Sequence, residues 1–218
     1  MKSPLYIDIE TIVADPWTPP TMPIFAAGAN LKDPAKIAEA IAAKEAAWTG
    51  DLPELHAKTA LSSMEGRLLC IGFAVGNYSP SMVYAPDDPG SMLDALMEAA
   101  IDNGPWVGHN IKGFDLPWLF RLALRLRHPI ASIIPWRKWG DGVEDTMELW
   151  SLTNPREGYT KLDTIARFLG LGSKTEGMDG REVWPAYQRG EHDRIRTYCA
   201  QDVALTRDVH RVIRGEWL

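Results

Sequence analysis

The sequence has little cysteine, no long uncharged apolar run and no surplus of positive charge, and each absence narrows the field. Cys70 and Cys199 are the only cysteines in 218 residues. Both lie among apolar neighbours, which predicts two buried thiols rather than a disulfide framework and favours a reducing, cytoplasmic setting over secretion. The longest apolar stretch, around Leu68–Gly76, falls well short of the ~18 residues that mark a membrane span, so no membrane is expected. Met1-Lys2-Ser3-Pro4 runs straight into Leu5-Tyr6-Ile7-Asp8 without the apolar core and small-residue cleavage site of a signal peptide. With 23 basic and 29 acidic side chains the net charge is −6. That excludes a general polyanion coat, but not nucleic acid held at one local site by metal ions. The five histidines show neither HExxH nor Cys/His metal spacing, and no internal repeat is present. An ordinary composition, 45% hydrophobic and 24% charged, excludes disordered and fibrous architectures.

Strands are predicted at Leu5–Ile9, Arg67–Val75 and Ser81–Ala85, with Asn77-Tyr78-Ser79-Pro80 as the turn between the last two. A helix follows, opened by a capping box of Ser91 and Asp94, striped by Leu93, Leu96, Met97 and Ala100, and stopped by Gly104-Pro105. Trp106–His109 is a short strand, Leu116–Arg125 a helix and Val143–Met147 a further strand. Tyr159–Leu169, Arg181–Arg189 and His192–Val212 are helices. This order predicts a single α/β domain over residues 1–218 with a mixed central sheet flanked by helices. Thr11–Gly66 reads as a loop-plus-helix insertion after the first strand. It holds Pro16, Pro19, Pro20 and Pro23, then an alanine-dense helix opened by Asp33-Pro34 and closed near Gly50. A lid, a substrate guide and a packing element are all open readings of it.

The acids carry the chemistry. Strand alternation puts Tyr6, Asp8 and Glu10 on one face and Leu5, Ile7 and Ile9 on the other. Two carboxylates on one face repel each other and resist desolvation, so they need either an exposed edge or a neutralising cation. On the last helix Ile195, Tyr198, Asp202, Leu205, Val209 and Val212 share one face at i, i+3/i+4 spacing. Asp202 sits in the middle of that apolar stripe and needs a partner. A third segment, Asn110-Ile111-Lys112-Gly113-Phe114-Asp115, joins a strand to a helix, where Asp115 is either an N-cap or a site residue. Four acids converging from three segments call for roughly two divalent cations bound through oxygen, the arrangement suited to in-line displacement at phosphorus.

Taken together, Asp8-x-Glu10, Asn110-x-x-x-Phe114-Asp115 and Tyr198-x-x-x-Asp202 resemble the motifs of the DEDD (DnaQ-like) superfamily of 3′–5′ exonucleases. Within it the chain is most similar to stand-alone proteins that resemble the proofreading domain of family B DNA polymerases. The resemblance implies the ribonuclease H-like fold and a two-metal-ion hydrolysis that releases 5′-mononucleotides from a free 3′ end. It implies two cations, Mg²⁺ or Mn²⁺, held by Asp8, Glu10, Asp115 and Asp202, with Tyr198 orienting or helping to deprotonate the attacking water. Thr197 stands where another branch of the superfamily has His, so the resemblance is to the tyrosine type. It also implies that the backbone at Thr11 and Ile12, with Asn110 and Phe114, meets the terminal nucleotide. The helix around Leu162–Gly170 resembles one that packs beside the site. Asp145-Thr146 resembles a strand-end pair of relatives, with Asp145 open between the site and capping.

The expected partner is nucleic acid with a free 3′ end, single-stranded DNA first. An exoribonuclease or short-oligonucleotide nuclease is the alternative in the same chemistry, and an inactive nucleic-acid-binding module the alternative of another class. Leu116–Gly140 carries Arg121, Arg125, Arg127, Arg137 and Lys138 without an acid, interleaved with Trp136 and Trp139. That pattern suits a single strand by backbone contact and stacking, and equally suits a solvated helix face followed by inward-packed tryptophans.

Overall fold

β1, Leu5–Ile12, forms the middle of a five-stranded sheet of order β3-β2-β1-β4-β5. The computed structural model describes residues 2–135, 142–152, 154, 159–172 and 178–216. β2 (Arg67–Val75) runs antiparallel to β1, and β3 (Ser81–Tyr84) antiparallel to β2. β4 (Trp106–Gly108) and β5 (Val143–Asp145) run parallel to β1 on its other side. A central strand is covered on both faces, and the alternation of β1 is used on both. Leu5, Ile7 and Ile9 enter the main core with Met92, Leu93 and Leu96 of α2 (Pro89–Ala100) and Leu119 and Leu122 of α3 (Asp115–Leu126). The opposite face lies under α7, His192–Ile213, which crosses β1, β2, β3 and β4. The fold is α/β and ribonuclease H-like, as expected. No helix among the described residues is long and apolar enough to cross a membrane.

Several boundaries differ from the sequence reading. Thr11 and Ile12 belong to β1, opposite Leu68 and Arg67. α1 spans Pro34–Thr59, running past Gly50 and through Pro53. Proline lacks the N–H the preceding turn needs, but tertiary bonds anchor the helix beyond it. His56 Nε2 lies 2.8 Å from the Ala14 carbonyl oxygen, the Ala14 N–H donates to Thr59 Oγ1, and Thr11 Oγ1 donates to the Ala60 carbonyl at 2.7 Å. α2 starts earlier than the Ser91 box, because Asp88 caps it with Pro89 in the first turn. β5 stops at Asp145, which caps the short helix α4, Thr146–Trp150. Among the described residues, α5 (Leu162–Phe168) and α6 (Val183–Gln188) are the two remaining α-helices.

How closely α7 approaches the sheet depends on Gly72, the residue paired with Asp8 across β1 and β2. A Cβ there would stand 2.9 Å from both Cys199 Sγ and Val203 Cγ2 of α7. Farther along, His210 of α7 bridges two strands: its Nε2 is 2.6 Å from Glu144 Oε2 of β5 and its Nδ1 3.2 Å from the Tyr6 hydroxyl of β1. Gly72→Ala is therefore expected to lift the helix locally and cost about 1–3 kcal/mol, the usual range for overpacking a close-fitted core. Denaturant titration measures this directly, and a variant as stable as the parent would show that α7 does not bear on that position.

Candidate active site

Asp8 and Glu10 project from β1 toward α7, as alternation requires, and β1 is not an exposed edge. Glu10 is only 7% exposed, so the solvated-edge explanation of the pair fails. β4 pairs with β1 only at Leu5 and Tyr6, so the two acids lie just beyond the point where the parallel strands separate. In α/β sheets such a crevice at strand carboxyl ends holds ligands. The β1–β2 register shifts between Glu10 and Thr11, a bulge that re-aims side chains at that point. Carboxylate oxygens of Asp8 and Glu10 lie within 4.8 Å of each other and of Cys199 Sγ. Burial pushes the Cys199 thiol well up, with Cys70, Asp8 and Glu10 adding to it, so the sulfur stays a neutral core group.

α7 brings Tyr198 and Asp202, both 5% exposed, over the same spot. Four residues apart, they share a helix face, and the Tyr198 hydroxyl donates to the Asp202 carboxylate. Burial first, then the charges of Asp202, Glu10 and Asp8, hold the Tyr198 phenol well above its ordinary range. Tyr198 is therefore a proton-bearing donor at neutral pH, close enough to feel three carboxylates.

Asp115 arrives from the start of α3. It is not an N-cap: Phe114 holds that position without a side-chain hydrogen bond, and Asp115 Oδ1 instead accepts the Ile9 N–H of β1 at 3.1 Å. The loop before it is tightly built. Asn110 adopts a left-handed φ of 59°. Its carbonyl accepts the N–H groups of Gly113 and Phe114, both at 3.0 Å. A Cβ on Gly113 would sit 2.4 Å from Asn110 Oδ1, so glycine lets the Asn110 side chain fold over the loop. Asp145 holds this loop from β5, accepting the N–H groups of Asn110 at 2.9 Å, Lys112 at 3.1 Å and Met147 at 3.0 Å. In the structure it serves capping and loop geometry, the second of its two readings.

The structure thus brings Asp8, Glu10, Asp115, Tyr198 and Asp202 to one place. Among the described residues no hydrogen-bond donor reaches the buried oxygens Asp8 Oδ2 and Asp202 Oδ1, although both residues are engaged through other contacts. Four carboxylates with a neutral thiol at their margin form a hard-oxygen donor set, which fits Mg²⁺ or Mn²⁺ rather than a thiophilic metal. Thr11 and Ile12 lie buried at the end of β1, next in the chain to Glu10, and Thr11 is pinned to the end of α1 by its hydroxyl. Phe114 packs against the main core. Trp136, Arg137, Lys138 and Trp139 lie outside the described residues. Sequence reasoning missed Gly72 and the His210 bridge, because both depend on strand register.

Charge crowding gives a stability prediction. Burial, then the charge of Asp8, raises the Asp115 carboxyl well above the carboxylate range, against the opposing pull of backbone N–H donors. A folded-state pKa above the unfolded one means that the folded form binds the proton more tightly. This group's contribution to stability therefore falls as pH rises from the ordinary carboxylate range through the raised value. In chelator, Asp115→Asn is expected to raise the melting temperature at neutral pH by a few degrees, at about 2–4 °C per kcal/mol for a chain of this size. It should also flatten the acid side of the pH profile. A variant that melts lower than the parent at neutral pH would show that the Asp115 charge is not a strain in the cation-free protein.

A family model described as a predicted 3′–5′ exonuclease related to the exonuclease domain of PolB matches residues 85–210. That span includes Asn110, Phe114, Asp115, Tyr198 and Asp202 and leaves β1 outside. Among solved structures, the chain is similar to the family B DNA polymerase from the hyperthermophilic archaeon Pyrobaculum calidifontis. The TM-score is 0.53 at 16% identity, over 94% of this chain and 24% of the polymerase. The chain thus spans less than a quarter of that polymerase, and the likeness is one of fold. A search of curated proteins returned no match.

Proposed function

Because the chain belongs to the family of predicted 3′–5′ exonucleases related to the exonuclease domain of PolB, we propose that it removes nucleotides from the 3′ end of a single strand, DNA first, by metal-dependent hydrolysis that leaves 5′-mononucleotides. We read residues 1–218 as one catalytic domain of the tyrosine type. The observation that carries this reading is the meeting of Asp8 and Glu10 from β1, Asp115 from α3 and Asp202 from α7 in a buried site, with Tyr198 among them.

In this proposal Asp8, Glu10, Asp115 and Asp202 hold two divalent cations. Bound there, the cations supply Lewis acidity to a phosphoryl oxygen and make water more acidic. The protein's own work is placement. Asp115 is fixed by the Ile9 N–H and Asp202 by the Tyr198 hydroxyl, so the carboxylates are set before substrate arrives. Tyr198, its single proton committed to Asp202, accepts a hydrogen bond from the attacking water through its oxygen and orients it. Asn110 and Phe114, with the backbone at Thr11 and Ile12, meet the terminal nucleotide. The strand-to-helix loop is prearranged for this by Asp145.

The test is a time course on matched linear and circular strands. Labelled linear strands are expected to shorten stepwise from the 3′ end in Mg²⁺ or Mn²⁺, and circles to survive. Chelator should stop the reaction, and Ca²⁺ should support little of it because its looser coordination misplaces the water. Full activity in excess chelator, or efficient cutting of circles, would remove the reading. Parallel RNA strands decide between deoxyribonuclease and exoribonuclease, since that choice rests on contacts around the 2′ position.

A further inference from the structure

A cavity of about 440 Å³ opens beside the Asn110–Asp115 loop, between α3 and β5. None of the four clustered carboxylates lines it. Its floor is Ile134 and Val143, 2% and 8% exposed, and its walls include the half-buried Phe120 and Met147. At its mouth Lys112 Nζ meets Glu148 Oε2 at 2.6 Å, and Asn110 forms the rim on the side of the candidate active site.

Three observations select the occupant. The volume lies in the range of built small-ligand sites, about 300–1,000 Å³, and is suited to one base with its sugar. The lining is mostly apolar, with Asn110, Lys112 and Glu148 as its more exposed polar groups and Asp145 as a buried carboxylate engaged by backbone N–H donors, which matches a flat group with apolar faces and a polar edge. The position is the carboxyl end of the parallel strands β4 and β5, where α/β sheets take ligands. It shares Asn110 with the site proposed to hold the terminal nucleotide. We propose that this cavity receives a nucleobase of the substrate strand, upstream of the nucleotide being removed, a proposal that rests on the exonuclease reading above. Lys112, at the mouth, is placed to exchange Glu148 for the phosphate of the same nucleotide.

The experiment couples a strand defect to a protein defect. Short labelled DNA and RNA strands, each with one abasic position moved stepwise from the 3′ end, are bound to the protein in Ca²⁺ and followed by anisotropy, with recovery of intact strand checked on a gel. One interior abasic position is expected to weaken binding about tenfold, within the usual contribution of a single seated base. Met147→Trp, which fills the cavity, should weaken binding of the intact strand to a similar extent and make that abasic position silent, as interacting pairs do. Phe120→Ala removes a wall instead of filling the space and gives the same pattern if the filled variant is unstable. Equal binding of the intact strand by parent and variants, an unchanged abasic profile, or no strand binding by the parent overturns the proposal. Stepwise shortening of the same strands in Mg²⁺ or Mn²⁺, with an unchanged profile in Ca²⁺, overturns the cavity alone. A position-specific loss in Ca²⁺ with no shortening in Mg²⁺ or Mn²⁺ supports the cavity and removes the exonuclease reading.

Discussion

Asp8→Asn and Asp202→Asn are each expected to lower turnover by several orders of magnitude while leaving the fold intact. Both changes keep side-chain shape and remove one negative charge from a buried cluster. Cation affinity and cation placement should then suffer together, and cation-activated water supplies much of the rate in sites of this kind. Stability should move little or improve in chelator, because each substitution relieves repulsion among buried carboxylates. The pair also tests β1, which lies outside the span of the family match, so Asp8 stands on its own motif and on geometry. Single-turnover rates at saturating Mn²⁺, with circular dichroism to establish folding, provide the measurement. If Asp8→Asn keeps near-parental activity while Asp202→Asn loses it, the cations sit on α7 and α3 without β1. If neither changes an already negligible rate in a protein that binds strands, the chain is a binding module.

Tyr198→Phe should cost about 10²–10⁴-fold in turnover, the range for a positioned group that orients or transfers a proton. That is less than the loss of a cation ligand. The ring remains to fill the cluster of Ile12, Leu69, Ile195 and Cys199. The sequence alone suggests no stability change, but the hydroxyl also donates to Asp202. Removing a donor from a buried charged acceptor costs about 1–3 kcal/mol, so the cation-free variant should unfold earlier. A fully active Tyr198→Phe at neutral pH would show that the hydroxyl has no catalytic part and that the tyrosine-type reading is wrong.

Local pattern made the acids legible. Strand alternation put Asp8 and Glu10 on one face, and helical spacing put Tyr198 and Asp202 on another, before any packing was known. What pattern could not supply was partnership. Nothing in Leu5–Ile12 says that the strand is central, and only centrality turns the carboxylate pair from tolerable to costly. Gly72 looks like any glycine in an apolar run until the register sets it opposite Asp8 beneath α7. α1 outruns its own breakers because bonds from Thr11, Ala14 and His56 hold its far end, a tertiary effect that composition does not record. Asp115 has the sequence look of a cap, yet its carboxylate crosses to the neighbouring strand, since Ile9 has an N–H that β4 does not meet.

The distance along the chain between the parts of the site has a consequence for synthesis. The Cys199 thiol rests on the carbonyl of Asp8 across 191 positions, and Tyr6 meets His210 across 204. Contacts of such long separation close late in folding, because loop-closure entropy must be overcome before they contribute. A ribosome-bound chain that has made β1 and α3 but not α7 holds Asp8, Glu10 and Asp115 but neither Asp202 nor Tyr198, so on the proposed function it is expected to be inert toward the nucleic acid that surrounds it. On the proposed function, cleavage is expected only once the last helix has docked, so the appearance of activity during refolding would serve as a clock for that event.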